Sequence, residues 1–383
     1  MDFSFTPEQE AMRAAVRTLM QRHAPPESLR AWDRAQQFPE PLYATWAEAG
    51  LFRLPFPEET WGLGGGVLDL VLVAEEVARG SADLFMAFAG SVFCGLNILR
   101  KGSAEQRGRW LPRVMAGEVR MSIAISEPEA GSDLSGLRTR AVRDGDGWVI
   151  EGGKIWTTGA GLPGSVINAY VRTGEDADVR KSLSLFLVPN DAPGVRLRKL
   201  DMLGRRMTGT YEVAFDSVRV PGEHLIGGEN RGWECLLAGL QAERIVSAAG
   251  NIGAASAALD LALDHARQRR QFGRPIGEFQ AIAHLLADRA AELEAVRTLV
   301  WRAAWLVDQG RDALREISMA KLLSSELYAR IAAEGMQVMG AQGFSMDGDM
   351  QRHFRDSRSA TIAAGTSQMQ RNIIAGLMGL RPR

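Results

Sequence analysis

The sequence predicts an α+β protein in three consecutive parts: an N-terminal helical domain over residues 1–119, a central β domain over 120–228 and a C-terminal helical bundle over 229–383. Three observations carry that reading. Apolar residues recur at helical spacing through the first third. Near residue 120 the pattern breaks into short runs rich in Val, Ile, Tyr and Phe, separated by Gly, Asp, Asn and Pro, as strands are. From Gly232 onward, long Ala-filled helical patterns return.

The first helix starts at Thr6, Pro7 and Gln9, which supply a hydroxyl N-cap, proline at the first helical position and Gln to close a capping box. Helical spacing covers 67–101 and 104–117, bounded by the Gly-rich WGLGGG and by Gly102. Strands are expected at MSIAIS, WVIEG, VINAYVR, SLSLFLVP and YEVAF. Gly159, Gly161 and Gly164 spell GxGxxG after the strand-like IWTT. However, Pro163 interrupts them, and SVINAYV beyond is strand-like, so no helix follows to hold a pyrophosphate on its amides. A turn between two strands is the better account. The alternation of strand and helix that a doubly wound sheet needs is missing.

Composition excludes several classes. A formal net charge of -1 offers nothing to nucleic acid or to an anionic membrane. The two cysteines, Cys94 and Cys235, form no disulfide framework and suggest a reducing compartment. The start, MDFSFTPEQE, is acidic and polar where a signal peptide is basic and then apolar, and no uncharged apolar run approaches the ~20 residues of a membrane span. A cytoplasmic protein is the expectation. The five histidines show no metal-ligand spacing, and no GxSxG occurs, so neither a metal nor a hydrolytic serine is expected.

SEPEAGSD, Ser126 to Asp133, is a Gly/Ser/Pro loop after the first strand that exposes two hydroxyls and several backbone amides. Downstream follow GGKIWTTG (152–159), RRQFG (269–273), QVMGAQG (337–343) and AAGTSQMQR (363–371). Each alone is weak: a strand Trp is usually core, a pair of arginines usually a solvated face, and Gly-Thr usually just a helix cap. Together, in this order on a helix–β–helix chain, the set resembles the acyl-CoA dehydrogenase family over essentially the whole length. The resemblance implies that family's fold, with a central β-barrel or sandwich and a C-terminal four-helix bundle. It further implies FAD as cofactor, an acyl-CoA substrate, an electron-transferring flavoprotein as partner and a homotetramer or dimer.

Site residues follow from the same resemblance. Ile123, Ile125, Ser126 and Ser132 would line the flavin, with Ser132 also near substrate. Trp156 would pack on the isoalloxazine, and Thr158 would bond near its N5. Arg269, Gln271 and Phe272 would reach the adenosine-pyrophosphate half of a neighbouring subunit's FAD, with Gln337, Gly340 and Ala341 completing that site. Ala341 stands where the family usually has a second glycine. Thr366 and Gln368 match the last flavin motif, where a turn opening a helix suits a pyrophosphate.

The α proton of a thioester needs a carboxylate base. In many members that Glu immediately precedes the GTS motif, where this chain has Ala363 and Ala364 before Gly365. A second placement, similar to that of isovaleryl-CoA dehydrogenase, sits on the first long C-terminal helix just before an Arg. LQAERIV supplies Glu243 and Arg244 there. The residues themselves agree: Leu236, Leu240, Glu243, Ser247 and Gly250 form one helical stripe that is apolar or small apart from Glu243 and Ser247. A carboxylate there loses solvent, which raises its pKa and suits a general base, whereas a surface Glu–Arg pair fits the Ala, Leu, Ile and Val around it less well. The Ala364 N–H would still polarise the thioester carbonyl. Gln241 stands where the family often has an Asp for the pantetheine amide. Arg244 would aid CoA binding or position the helix, and Gly365 lies by the substrate. The small Ala363 and Ala364, with Phe85, Met86 and Phe88, predict a branched, cyclic or bulky acyl group. Competing readings on the same fold are a carrier-protein-bound acyl or aminoacyl dehydrogenase and an enoyl-CoA reductase. A flavin-retaining binding protein or monooxygenase is the rival of another class.

Overall fold

The computed structural model describes residues 4–380. The N-terminal part is helical: α1 (Pro7–His23), α2 (Pro26–Ala35), α3 (Glu40–Glu48), α4 (Val67–Gly80), α5 (Phe85–Lys101) and α6 (Ala104–Met115). The capping box is reciprocal, with Gln9 N–H donating to Thr6 Oγ1 at 3.2 Å and Thr6 N–H to Gln9 Oε1 at 3.1 Å. The helical stretch over 67–101 is two helices, broken at 81–84. The reason is tertiary: Asp83 turns inward to accept the N–H groups of Met207 at 2.7 Å and Thr208 at 3.2 Å. Phe88 belongs to the core of this domain, with its ring centroid 6.2 Å from Trp46 and 5.8 Å from Phe52. It is not among the residues of the cavity that Phe85 and Met86 line.

The centre holds β1 (Arg120–Ala124), β2 (Arg140–Asp144), β3 (Gly147–Thr158), β4 (Ser165–Arg172), β5 (Leu183–Pro189), β6 (Val195–Lys199), β7 (Thr210–Pro221) and β8 (Leu225–Ile226). They form one mixed sheet in the order β6-β7-β3-β2-β4-β5-β8, with β1 running parallel to β4. Trp148, Ile150, Ile167, Phe186, Val213 and Phe215 form its inner core. Two strands, RAVRD in β2 and VRLRK in β6, were not expected, because they are largely exposed and charged and give no apolar signal. Gly159–Gly164 is the turn between β3 and β4.

The remainder comprises α7 (Gly232–Gln268), a hairpin of β9 (Arg270–Gln271) and β10 (Arg274–Pro275), α8 (Gln280–Asp308), α9 (Leu314–Met339), α10 (Ala341–Phe344), α11 (Met350–Ala360) and α12 (Ser367–Leu377). Among the described residues α7 alone is long and apolar enough to cross a membrane, yet 72% of its most apolar window is buried within the protein. Its apolar surface is core, packed by α4, α5, α8 and α9. Two glycines allow that approach. A Cβ on Gly253 would lie 1.9 Å from the Glu75 carbonyl oxygen, and one on Gly250 would lie 2.4 Å from Phe85 Cε1. Phe85 is thereby held against the helix face that carries Glu243.

Candidate active site

Beyond β1 the chain turns into the Ser126–Asp133 loop, which is held from beneath by a buried ion pair. The Glu127 carboxylate accepts the N–H groups of Arg138 at 2.7 Å and Thr139 at 3.0 Å, and pairs with Lys154 Nζ at 2.7 Å. Lys154 also donates to the Ile125 carbonyl at 3.0 Å. Burial pushes the Lys154 ammonium down to about 8. Burial pushes Glu127 up, but Lys154 and the amide donors outweigh it and hold the carboxyl below its usual range. The Ile155 N–H donates to the Ser126 carbonyl at 2.9 Å, tying the loop to β3.

The next residue, Trp156, sits where the β3–β7 register shifts, with φ 63 and 55% of its surface exposed. A left-handed tryptophan in a strand is strained, and it turns the indole out of the core next to the loop. Ile123, Ile125 and Ser126 are half-buried and Ser132 is exposed. The Thr158 hydroxyl lies 3.1 Å from that of Thr210. A planar ring system with polar edges fits such a strip: an indole to lie on, hydroxyls at its margin, and a loop braced from beneath.

A cavity lies between α5, α7, α9, α11 and the 361–366 turn. One wall is Phe85, Met86, Glu243, Ser247 and Gly250. Arg205, Asn251, Lys321, Tyr328 and Asp356 also line the cavity, with Ala363 and Ala364 at the turn. Burial raises the Glu243 pKa; Arg244, Lys321 and Arg205 pull the other way without cancelling it. Lys321 Nζ donates to the carbonyls of Gly365 at 2.6 Å and Ala360 at 3.1 Å, so it staples the turn to α9. Burial, then Arg244, pushes it down to about 8. Arg244 lies beneath the same turn, where a Cβ on Gly365 would be 3.7 Å from its Nη2.

Ala364 has φ 56 and Gly365 φ 84. Among the described residues the N–H groups of Ala364, Gly365 and Thr366 reach no protein acceptor. Thr366 caps α12 by accepting from Met369 N–H at 3.2 Å. Three successive unused amides at a helix N-terminus suit an anionic or carbonyl oxygen. Gln241 and Gln368 are exposed on α7 and α12.

The second set of expected cofactor residues lies apart. Arg269, Gln271 and Phe272 belong to the β9–β10 hairpin, where Phe272 is 93% exposed with φ 50. Gln337, Gly340 and Ala341 end α9 and open α10, exposed beside Phe344, itself 77% exposed. Among the described residues, no hydrogen bond or ring contact joins either group to Trp156 or Thr158. Sequence reasoning also missed Glu127, Lys154, Arg205, Lys321 and the Asp83–Asp356 pair. Lys154 and Glu127 lay inside quoted motifs, and a Lys in a strand otherwise destined for burial was the available signal.

Fold and site define a flavin-dependent oxidoreductase. The chain belongs to the acyl-CoA dehydrogenase family: the N-terminal domain matches over residues 6–118, the middle domain over 122–218 and the C-terminal domain over 230–378. The family is FAD-dependent, and FAD is the cofactor the Trp156 strip and the 364–366 amides fit. A probable acyl-CoA dehydrogenase of Bacillus subtilis is 36% identical over 98% of this chain and 99% of its own. A benzylmalonyl-CoA dehydrogenase of Aromatoleum aromaticum is 38% identical over 98% and 99%. The solved structure of a glutaryl-coenzyme A dehydrogenase with glutaryl-CoA superposes with a TM-score of 0.95 at 32% identity, covering 100% of this chain and 98% of that one.

Proposed function

We propose that the protein oxidises an acyl-CoA thioester between Cα and Cβ, with Glu243 as the base that removes the α proton. The observation that carries this is a desolvated carboxylate sharing one cavity with the unused N–H of Ala364. Bound FAD supplies the acceptor for the hydride leaving Cβ. Ala364 N–H donates to the thioester carbonyl and stabilises the enolate charge that builds as Glu243 takes the proton; one such donor is worth about 3 kcal/mol. Arg244 and Lys321 keep the base ionised between turnovers and hold the turn. Ile123, Ile125, Ser126, Trp156, Thr158, Thr366 and Gln368 hold the cofactor in this reading. Phe85, Met86 and Ala363 shape the acyl site, leaving room for a branched or bulky group, while Ser132, Gln241 and Gly365 contact the rest of the substrate. An electron-transferring flavoprotein takes the electrons onward, in the cytoplasm.

Anaerobic bleaching of the flavin by a panel of acyl-CoAs tests the reading directly, and a purified protein that binds no FAD would sink it. A pH profile adds a second check. Glu243 must be ionised to act, and burial lifts its pKa, so kcat/KM should fall as pH drops through a value above the ordinary 4.5 of a glutamate. An acid limb at or below that value would remove Glu243 from the role.

The exposed hairpin supports assembly. Arg269, Gln271 and Phe272, with Gln337, Gly340 and Ala341, are placed to complete a neighbouring subunit's FAD site in a dimer or tetramer. Phe272→Ser should raise the subunit dissociation constant about 10- to 100-fold, the worth of one buried phenylalanine. Flavin content should fall with it. Unchanged sedimentation and flavin-to-protein ratio would rule the hairpin out of the interface.

A further inference from the structure

Arg205 has no role in the chemistry above, yet the fold goes to some length to place it. It lies in the loop between β6 and β7 with φ 58, a left-handed conformation that an arginine keeps only when its surroundings impose it. Two carboxylates impose it. Asp356 accepts the Arg205 N–H at 2.8 Å, and Asp83 accepts those of Met207 at 2.7 Å and Thr208 at 3.2 Å. The Thr208 hydroxyl donates to the Asp83 carbonyl at 3.0 Å. A Cβ on the preceding Gly204 would lie 2.7 Å from Asp356 Oδ1, so the loop sits hard against its anchor.

The result is a guanidinium delivered into the cavity that holds Glu243. Among the described residues it makes no ion pair and no side-chain hydrogen bond. Of the other cations, Arg355 pairs with Asp33 at 2.6 Å, Arg352 with Asp349 at 3.1 Å, and Lys321 is bound to two carbonyls; Arg206 and Arg244 also keep a buried Nε without a partner, but neither lines the cavity. Asp356, Asp83 and Glu243 face Arg205 only at longer range, and the first two accept backbone amides. A half-buried guanidinium without a protein acceptor is free to take one from a ligand, and with a carboxylate it forms one of the strongest pairs available to a protein. Asn251 and Tyr328 add polar groups to the same cavity, Tyr328 fixed by its hydroxyl 3.1 Å from His353 Nδ1.

We infer that the acyl group oxidised here carries a second carboxylate at its far end, seated against the Arg205 guanidinium. The inference rests on the dehydrogenase reading and names its substrate class: a dicarboxylic acid bound to CoA through one end. The thioester end meets Glu243 and Ala364, and the free carboxylate meets Arg205. A purely aliphatic chain of equal length would displace water from the guanidinium without supplying an acceptor. The rival role for Arg205 is to hold Glu243 ionised, which would serve every acyl group alike.

The test is anaerobic flavin bleaching of the holoenzyme by succinyl-, glutaryl- and adipoyl-CoA, each against butyryl-, pentanoyl- or hexanoyl-CoA of matched carbon number. At least one dicarboxylyl-CoA should exceed its uncharged partner about 100-fold in kcat/KM, as loss of a charged hydrogen-bond partner commonly costs. Arg205→Met should reduce that ratio by a similar factor, mainly through KM, and Arg205→Lys should restore part of it. A ratio of one or less throughout the series overturns the proposal. So does an Arg205→Met enzyme that loses rate on all acyl-CoAs equally and shifts the acid limb. Should Arg205→Met not fold, judged by melting temperature and flavin content, the wild-type ratios and Arg205→Lys decide. Bleaching by no acyl-CoA at all would instead overturn the dehydrogenase reading.

Discussion

Glu243→Gln is expected to lower kcat on the best acyl-CoA by about 10²- to 10⁴-fold, the usual worth of a positioned general base. The amide keeps the volume and shape of the cavity but cannot accept the α proton. Flavin content and melting temperature should stay near wild type, because Glu243 is not among the cofactor-holding residues and its environment favours a neutral group. Binding of the thioester should survive, since Ala364 N–H and the cavity walls remain, so the loss should appear in kcat more than in KM. The variant also removes the one negative charge that raises Arg244 and the first of those that raise Lys321. A modest change in the alkaline limb is therefore expected alongside the main effect. Turnover within about threefold of wild type would place the base elsewhere; the remaining carboxylate of the cavity is Asp356, already engaged with the Arg205 N–H.

The desolvation of Glu243 was legible in the sequence because its evidence is local: a carboxylate on a helical stripe of small and apolar groups keeps that character in any fold that buries the stripe. The capping box at Thr6 and the turn at Gly159–Gly164 were legible for the same reason. Phe88 shows the limit. Three residues after Phe85 on one helix, it faces the Trp46 and Phe52 rings while Phe85 faces Gly250, and only the packing of α5 against α7 decides which is which. The break between α4 and α5 was hidden because its cause, Asp83 reaching Met207 and Thr208, spans the chain. Arg205 was hidden twice over, as one of two adjacent arginines in a polar loop whose strain is set by Asp356 from α11. Charged strands such as β2 and β6 carry little apolar signal, since their side chains are largely exposed and backbone pairing, not side-chain burial, holds them in the sheet.

Lys154→Met is expected to give the largest loss of stability, about 3–5 kcal/mol, together with loss of most bound FAD. The ammonium is enclosed and serves two acceptors at once, Glu127 at 2.7 Å and the Ile125 carbonyl at 3.0 Å. Removing it strands the Glu127 carboxylate in the core with only the Arg138 and Thr139 amides. The cheapest escape is for the Ser126–Asp133 loop to open and let water reach that carboxylate. Opening breaks the Ile155–Ser126 hydrogen bond and frees the strand that holds Trp156 in its strained, outward pose. Flavin loss should therefore accompany destabilisation rather than follow from a lost contact, since neither Lys154 nor Glu127 is placed to touch the cofactor. The double variant Lys154→Met, Glu127→Gln separates the two effects. With no charge left to strand, it should regain most of the melting temperature, because a neutral pair of similar volume avoids the desolvation cost of the ions. If flavin returns with it, the pair acts by keeping the loop closed. If stability returns and flavin does not, the field of the buried pair itself is needed at the cofactor, and the bracing account is wrong.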